Sequence, residues 1–247
     1  MKCTRPSTRD EGSSVPAAPL ERLRGRFIVL DGPDGCGKST QITLLADRLR
    51  AAGLSVTLAK DPGGTEIGNQ IRHILLDYDL SKMDVRCETF LFMASRAQLV
   101  AEVIDPGLRR GDVVLCDRFI SSTCAYQGAA GFDVGRVIEL GRYAVGETWP
   151  QLTVVLDLPA EVGLERTGRP PRAAPRRARD AVGQRMMFAD VHADAMESRP
   201  LDFHQHVRAI FLRLQEHYPR PVAHVDANGS REEVHARVLE VIERAAL

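Results

Sequence analysis

The sequence has no long hydrophobic run, no secretion signal and no excess of either charge. No apolar stretch approaches the roughly 20 residues of a membrane-spanning helix, and the N-terminus lacks the apolar core of a secretory signal. The 33 basic residues equal the 33 acidic residues, so no overall field draws the protein to nucleic acid or to an anionic membrane. We therefore expect a cytoplasmic protein with neither a membrane nor a nucleic acid as its partner.

Cysteine is scarce as well. The five cysteines are odd in number and scattered along the chain, and no two of them have the CxxC spacing. This distribution argues against a disulfide framework and against a zinc site. It fits a reducing compartment, in agreement with the expected cytoplasmic location.

The sequence does contain the alternation typical of an α/β domain. With 247 residues, of which 44% are hydrophobic, the chain is long enough for one sizeable domain. Short β-branched runs alternate with segments of helical periodicity, which predicts βαβ units around a parallel sheet with helices on both faces. The predicted strands are residues 26–31, 55–60, 112–117, 153–158 and 222–227.

Two segments depart from this alternation. Residues 1–25 mix Ser, Pro, Gly and charged residues with few large apolar side chains, which predicts a flexible tail before a domain at 26–247. Residues 165–185 hold seven arginines, two acidic residues and three prolines. This composition predicts an exposed, mobile insertion between two ordered elements.

A glycine-rich loop follows the first predicted strand. Residues 32–39 read GPDGCGKS and satisfy the pattern G-x-x-x-x-G-K-[ST], with a strand before and a helix after. Glycines let backbone N–H groups converge on phosphate oxygens, and the start of the helix faces the same anion. The motif predicts a P-loop NTPase fold that binds a nucleoside triphosphate. The candidate residues for this binding are Gly32, Pro33, Asp34, Gly35, Cys36, Gly37, Lys38, Ser39 and Thr40.

Two further positions indicate a magnesium ion beside this loop. Ser39 offers a hydroxyl ligand, and Asp117 ends the third predicted strand, where a P-loop fold keeps its Mg²⁺-side carboxylate. The next residue is Arg118, whereas motor-type ATPases usually place a glutamate there to orient water. An arginine suits a second substrate that carries a phosphate group. We therefore expect Mg²⁺ as a cofactor and a phosphate-bearing acceptor.

Six motifs in this order resemble those of the bacterial-type thymidylate kinases. They are GPDGCGKSTQ at 32–41, KDPGGT at 60–65, LFMASRAQ at 91–98, DRFISSTCAYQG at 117–128, LDLPAEVGLER at 156–166 and VDANGSREEV at 225–234. The resemblance implies that residues 26–247 form a nucleoside monophosphate kinase domain with a five-stranded parallel sheet and a mobile lid at about 165–199. It also implies phosphoryl transfer from ATP to dTMP, giving ADP and dTDP.

The resemblance carries roles to individual residues of the acceptor site. It implies that Asp34 meets the 3′-hydroxyl of the acceptor, that Phe92 stacks on the thymine ring and that Arg96 bonds to the edge of that ring. It places Tyr126 under the deoxyribose, where the phenol ring crowds out a 2′-hydroxyl. The residues implied at the 5′-phosphate are Lys60 and Arg118, and those implied elsewhere around the base are Ser122, Thr123 and Gln127.

The implied catalysis consists of positioning and charge neutralisation. The acceptor phosphate has a second pKa of about 6, so at neutral pH it is mostly a dianion and needs no general base. Lys38 and Arg118 would neutralise charge, together with an arginine from the lid, where Arg166 and Arg169 lie closest to the family pattern. Gly35 matches the bacterial type, in which the lid rather than the loop supplies that arginine. A homodimer is implied as well, packed through helices beside the nucleotide site.

Three positions depart from the family pattern. Lys60 stands where an arginine is usual, so a point charge replaces a planar, two-pronged grip on phosphate. Ala195 replaces the arginine of a DRxE motif after the lid. Cys36 replaces a small residue of the loop, and it is either a reactive thiol activated by Lys38 and the helix start or a small filler.

Two alternative functions stay open at this point. The arginine-rich segment could neutralise the backbone of a nucleic acid in a nucleotide-controlled binding module, although it contains no aromatic residue for base stacking. The departures also allow a P-loop nucleotide-binding protein with weak or shifted kinase activity. The three functions differ in whether ADP formation depends on dTMP.

Overall fold

The computed structural model of the protein describes residues 18–77, 83–168, 199–245 and 247. Its centre is a sheet of five strands in the order β2-β3-β1-β4-β5, and every neighbouring pair is parallel. The strands are β1 (Phe27–Asp31), β2 (Val56–Lys60), β3 (Val113–Asp117), β4 (Leu152–Asp157) and β5 (Val222–Asp226). The predicted five-stranded parallel sheet is confirmed, and each strand begins and ends within one residue of its predicted bounds.

Helices connect the strands. They are α1 (Ala18–Glu21), α2 (Lys38–Ala51), α3 (Glu66–Asp77), α4 (Val85–Leu99), α5 (Asp105–Arg109), α6 (Ile120–Ala129), α7 (Val134–Val145), α8 (Ala160–Arg166), α9 (Leu201–Arg213) and α10 (Arg231–Arg244). A π-helical turn (Val100–Ile104) joins α4 to α5, and a 3-10 turn (Leu214–Glu216) extends α9. Within the described ranges, no helix combines the length and the hydropathy needed to cross a membrane.

The sheet separates two hydrophobic cores. In β1 the buried side chains alternate, so that Phe27 and Val29 face one core while Ile28 and Leu30 face the other. Helices α4, α6, α7 and α9 pack on the first side, and α1, α2 and α10 pack on the second. Because both faces are covered, the central strands consist of continuous apolar runs, which is the pattern that made them predictable.

The N-terminal boundary of the domain differs from the prediction of a flexible tail at 1–25. Leu20 and Leu23 are 2% and 0% exposed and pack into the second core. Arg22 donates hydrogen bonds to the carbonyl oxygens of Ile242 and Ala245, at the end of α10. These contacts place residues 20–23 in the domain, since Leu20 of α1 and Leu23 of the turn after it are both buried in the second core. Residues 1–17 of the predicted tail lie outside the described residues.

The carboxyl ends of three neighbouring strands meet at one edge of the sheet. The 32–37 loop follows β1, the 61–65 turn follows β2, and Arg118 follows β3. The buried carboxylate of Asp31 ties this edge together, since it accepts hydrogen bonds from Ser121 and Ser122 at the start of α6. In open parallel sheets, ligands bind in the crevice at this edge.

Truncation of a central side chain tests the second core. Leu115 is fully buried in β3, between Ile28 and Leu58 of the neighbouring strands. We expect Leu115→Ala to lower the free energy of unfolding by about 2–5 kcal/mol, because it opens a cavity that its neighbours fill only in part. Urea denaturation measures this loss. The matched control is Leu212→Ala on α9, where the side chain is 41% exposed, and its loss should be about 1 kcal/mol or less. Equal losses in the two variants would contradict this description of the core.

Candidate active site

A cavity of about 250 Å³ opens at the carboxyl edge of the sheet. Its walls come from the 32–37 loop and the starts of α2 and α6, from the end of β2 with the turn after it, and from α3 and α4. The lining residues that the sequence predicted are Asp34, Lys38, Ser39, Lys60, Phe92, Arg96, Asp117, Arg118, Ser122, Thr123, Tyr126 and Gln127. The fold therefore brings twelve residues from four separate motifs to one cavity, while their individual roles stay predictions.

The backbone of the glycine-rich loop requires a glycine at position 35 and holds the Lys38 side chain. Gly35 has a φ of +73°, and a Cβ atom there would collide with the carbonyl oxygen of Gly163 in α8. Only glycine fits this position, because the φ and the close approach each exclude a side chain. Lys38 donates from Nζ to the carbonyl oxygens of Gly32 at 3.1 Å and Pro33 at 2.8 Å. These bonds hold the ammonium charge inside the loop, at the start of α2.

Ser39 and Asp117, the two residues predicted to bind Mg²⁺, lie side by side in the structure. The Ser39 hydroxyl donates to Oδ2 of Asp117 at 3.0 Å, which joins the start of α2 to the end of β3. Both residues line the cavity, and Asp117 is 9% exposed. A hydroxyl beside a carboxylate is a donor set that suits Mg²⁺, which takes one or two protein oxygens and keeps waters and phosphate oxygens as its other ligands. The residues present therefore fit this ion.

Asp34 and Arg118 connect the loop to the other half of the cavity. Nη2 of Arg118 donates to Oδ1 of Asp34 in a short ion pair, and the Tyr126 hydroxyl donates to Oδ2 of Asp34 at 2.7 Å. Burial raises the pKa of Asp34, but the positive charges of Arg118 and Lys38 outweigh burial and hold the pKa below its usual value. Asp34 is therefore an ionised hydrogen-bond acceptor at neutral pH.

Arg118 has an unusual backbone. Its φ is +69°, the only positive value among the non-glycine residues that the structure describes. Nη1 of its side chain donates to the Gly32 carbonyl oxygen at 3.3 Å and to the Ser122 hydroxyl at 3.1 Å. Such backbone strain persists only where the surroundings fix it, and it concentrates at functional sites.

Nearly all the hydrogen-bond donors of the Arg96 side chain contact other groups of the protein. Its side chain is 1% exposed, and its Nε donates to Oδ2 of Asp61 at 2.6 Å. Its Nη2 donates to the Phe119 carbonyl oxygen and to the Thr123 hydroxyl, while its Nη1 lies 3.1 Å from the sulfur of Met93. A guanidinium has five N–H donors, so these four contacts leave one donor on Nη1. That single donor is what Arg96 can offer to the edge of a base.

The other residues predicted to surround the base combine an aromatic face with buried polar groups. Phe92 is 9% exposed and belongs to the first core, and it also lines the cavity. It is therefore a core residue whose outer face is available for stacking. The buried amide nitrogen of Gln127 lies near Glu88 but makes no hydrogen bond of normal geometry within the described part of the chain. A buried donor of this kind suits a ligand carbonyl, because an unmade hydrogen bond is costly.

Four lining residues have no role in the sequence analysis. They are Asp61, Pro62, Arg72 and Leu76. Asp61 and Pro62 belong to the KDPGGT motif. The ion pair between Asp61 and Arg96 joins residues that are distant in the sequence, so no local sequence pattern predicts it. Arg72 and Leu76 lie four positions apart on α3, a spacing that puts both on one face of the helix.

Cys36 is a buried packing residue in the structure. It is 2% exposed and belongs to the second core. Burial raises the pKa of its thiol, and the nearby charge of Lys38 does not reverse that shift. The hypothesis of an activated thiol is therefore wrong, because the loop that brings the lysine close also excludes water from the sulfur.

The predicted lid is described only at its two ends. Arg166 ends α8 and donates to the Ala227 carbonyl oxygen at 3.4 Å, so the structure does not bring it to the cavity. Arg169 and Ala195 lie outside the described residues. At the other end, Arg199 pairs with the buried carboxylate of Glu88 at 3.3 Å. Which arginine serves catalysis stays a prediction.

Comparison with known proteins agrees with this architecture. The family model for thymidylate kinase matches residues 30–238. The chain is 43% identical to the thymidylate kinase of Syntrophotalea carbinolica over 213 residues, which cover 86% of this chain and 92% of the relative. It is 37% identical to the thymidylate kinase of Protochlamydia amoebophila over 232 residues, which cover 91% of this chain and 95% of the relative. The chain belongs to the thymidylate kinase family.

Proposed function

We propose that this protein transfers the γ-phosphoryl group of ATP to the 5′-phosphate of dTMP, giving ADP and dTDP. The observation that carries the proposal is the continuity of one cavity, which has the phosphate cradle at one end and a buried aromatic pocket at the other. Arg118 contacts both ends, since it donates to the Gly32 carbonyl oxygen of the loop and to the Ser122 hydroxyl of α6. A transfer between two bound phosphates requires such an arrangement.

The cradle end binds the donor. Backbone N–H groups of the loop and the start of α2 face the phosphates, and Lys38 adds a positive charge beside them. Ser39 and Asp117 would hold Mg²⁺, which neutralises charge on the phosphates when it is bound. The protein itself orients the donor, because the cradle is fixed to the sheet through β1 and to α8 through Gly35.

The pocket end selects the acceptor. Phe92 offers its outer face to the thymine ring, while Gln127 and the last donor of Arg96 face the polar edge of that ring. Asp34 is ionised and can accept a hydrogen bond from the 3′-hydroxyl of the sugar. Tyr126 fills the space beside Asp34, which excludes a 2′-hydroxyl and so favours a deoxyribonucleotide.

No proton acceptor is needed for the transfer. The acceptor phosphate is mostly a dianion at neutral pH, with a second pKa of about 6. The ion pair with Asp34 fixes the guanidinium of Arg118 where the donor half and the acceptor half of the cavity meet. Arg118 and Lys38 would therefore act by holding the two reacting groups together and by neutralising charge as it develops.

We further propose a homodimer that packs through α3 and α4. Three of the six large exposed hydrophobic side chains in the described ranges lie on these helices, namely Ile67, Ile74 and Phe90. Ile67 and Ile74 are seven positions apart, so both project from one side of α3. The two helices pack against each other. Exposed apolar side chains that cluster in this way mark an interaction surface, and it lies beside the cavity as the family resemblance implies.

The first test of the proposed function is ADP release from ATP and Mg²⁺ with dTMP, dUMP, dCMP, dGMP and dAMP offered separately. We expect turnover that strongly favours dTMP and that requires Mg²⁺. Lys38→Ala should abolish it, because the variant loses the charge beside the phosphates. Turnover in Lys38→Ala at the wild-type rate would contradict the cradle assignment. Nucleotide binding without turnover on any of these acceptors would favour a P-loop nucleotide-binding protein whose kinase activity is weak or shifted.

Phe92→Ala tests the stacking surface. We expect the KM for dTMP to rise about 10- to 100-fold, because the loss of an aromatic face removes roughly 1–3 kcal/mol of stacking per base. The KM for ATP should stay within about a factor of two. The matched control is Leu99→Ala, a buried residue of the same helix and core that does not line the cavity. An equal rise in the KM for dTMP in both variants would show that Phe92 acts only through the packing of the core and does not stack on the base.

Ile74→Asp tests the proposed dimer surface. We expect the wild type to sediment as a dimer and the variant as a monomer, since burying an unpaired carboxylate in an apolar interface is costly. Sedimentation velocity measures both. Leu212→Asp on α9 is the matched control, with a similar exposed leucine outside this surface, and it should stay dimeric. A monomeric wild type would contradict the proposal outright.

A further inference from the structure

Two helices form two polar contacts at the pocket end of the cavity. On α4, Glu88, Phe92 and Arg96 follow one another at intervals of four residues, so they share one face of the helix. On α6, Thr123 and Gln127 are also four residues apart. Nη2 of Arg96 donates to the Thr123 hydroxyl at 2.9 Å, and the amide nitrogen of Gln127 lies near the Glu88 carboxylate. Phe92, the proposed stacking surface, stands between Glu88 and Arg96 on α4.

Glu88 is a buried carboxylate to which the proposed function assigns no role. It is 2% exposed, and Nη2 of Arg199 donates to its two carboxylate oxygens at 3.3 and 3.4 Å. Burial raises the pKa of Glu88, while the charge of Arg199 and the amide of Gln127 oppose that rise. A buried ion pair costs desolvation free energy that an apolar side chain of similar size would not cost. The carboxylate therefore points to a role beyond packing.

The carboxylate of Glu88 selects one orientation of the Gln127 amide. A carboxamide can turn by 180° about its terminal torsion, which exchanges the positions of its oxygen and its nitrogen. Beside a carboxylate one orientation is favoured, because the amide N–H donates to the carboxylate whereas the amide oxygen is repelled by it. No described residue donates a hydrogen bond to Oε1 of Gln127. Because Gln127 lines the cavity, this oxygen and the second N–H of the amide are available to a ligand.

The orientation of such an amide decides which pyrimidine it fits. Thymine presents an N3–H donor between two carbonyl acceptors, whereas cytosine presents an N3 acceptor next to its N4 amino donor. An amide that directs its oxygen to N3 and its N–H to the neighbouring carbonyl pairs with thymine. The same amide turned by 180° would pair with cytosine.

We propose that Glu88 is a positioning residue that sets the selectivity for thymine over cytosine by fixing the orientation of the Gln127 amide. This inference rests on the proposed function, since it takes dTMP as the acceptor. Arg199 holds the Glu88 carboxylate in place, and its own guanidinium carbon lies 4.5 Å from the centre of the Phe203 ring. Uracil presents the same N3–H and carbonyl groups as thymine, so Glu88 does not distinguish dUMP from dTMP.

The test compares three acceptors in Glu88→Gln. This variant keeps the size of the side chain and removes its charge, so that both orientations of the Gln127 amide become accessible. Steady-state ADP release gives kcat/KM for dTMP, dUMP and dCMP. We expect the ratio of kcat/KM for dTMP to that for dCMP to fall about 10-fold or more, because the amide can then pair with cytosine. The ratio for dTMP to dUMP should stay within about a factor of two of the wild-type ratio.

Two further variants separate positioning from stability. Glu88→Gln leaves the Arg199 charge without its partner, whereas Glu88→Gln combined with Arg199→Met removes both charges. We expect the double variant to unfold at or above the Tm of the single variant and to keep the lowered ratio of dTMP to dCMP. Asp157→Asn is the matched control, because it breaks the two-pronged pair of Asp157 with Arg208, neither of which lines the cavity. It should leave both ratios unchanged.

The outcomes separate this inference from the proposed function. If both ratios stay at their wild-type values in Glu88→Gln, whether or not the rates fall, Glu88 only supports the pocket and the inference is wrong. Recovery of the wild-type ratio of dTMP to dCMP in the double variant would overturn it as well, since the unpaired arginine would then be the cause. A wild type that uses dCMP as well as dTMP, or that uses neither, would instead contradict the proposed acceptor itself.

Discussion

The ion pair between Asp34 and Arg118 joins the phosphate-binding loop to the acceptor half of the cavity. Both groups are largely withdrawn from water, and a buried charge is tolerated only where a partner and hydrogen bonds compensate its lost hydration. Tyr126 supplies one such bond to Asp34, and Ser122 accepts one from Arg118. Because these partners lie on α6, the loop after β1 and the helix after β3 are held in one fixed register. In the proposed function, that register holds the donor half and the acceptor half of the cavity next to each other.

The same rule divides the cations of the cavity into two groups. Arg96 and Arg118 are paired with carboxylates and shape the site, and Arg96 keeps one donor beyond its protein contacts. Lys60 is exposed and Arg72 is half-buried, and neither forms an ion pair with a carboxylate within the described residues. Had all these arginines been paired inside the protein, the cavity would hold its shape but offer little charge to a dianion. The unequal pairing lets one small site be both rigid and attractive to phosphate.

The sequence predicted the sheet for a physical reason, since central parallel strands are buried on both faces and appear as apolar runs. The glycine-rich loop and Asp117 come at the ends of such runs, at the carboxyl edge of the sheet. Phe92 and Arg96 lie on α4, and the sequence suggested them only through the family resemblance. The misses come from contacts that sequence order does not encode. Leu20 and Leu23 are too short an apolar pattern to predict an ordered segment, although both pack into the second core. Arg72 sits on an ordinary helix outside every motif, and only the tertiary arrangement of α3 brings it to the cavity.

The two described ends of the predicted lid are fixed to opposite parts of the site. At one end, α8 lies so close to the loop that a Cβ atom at Gly163 would collide with the carbonyl oxygen of Asp34. At the other end, Arg199 pairs with Glu88 of α4 and stacks over the ring of Phe203, which in turn lies against Tyr126. α8 therefore stands against the phosphate-binding loop, and Arg199 stands against α4, so each described end contacts an element that also lines the cavity. Because these contacts lie on different elements, the two ends tie the loop side and the α4 side of the cavity to the rest of the fold independently of each other.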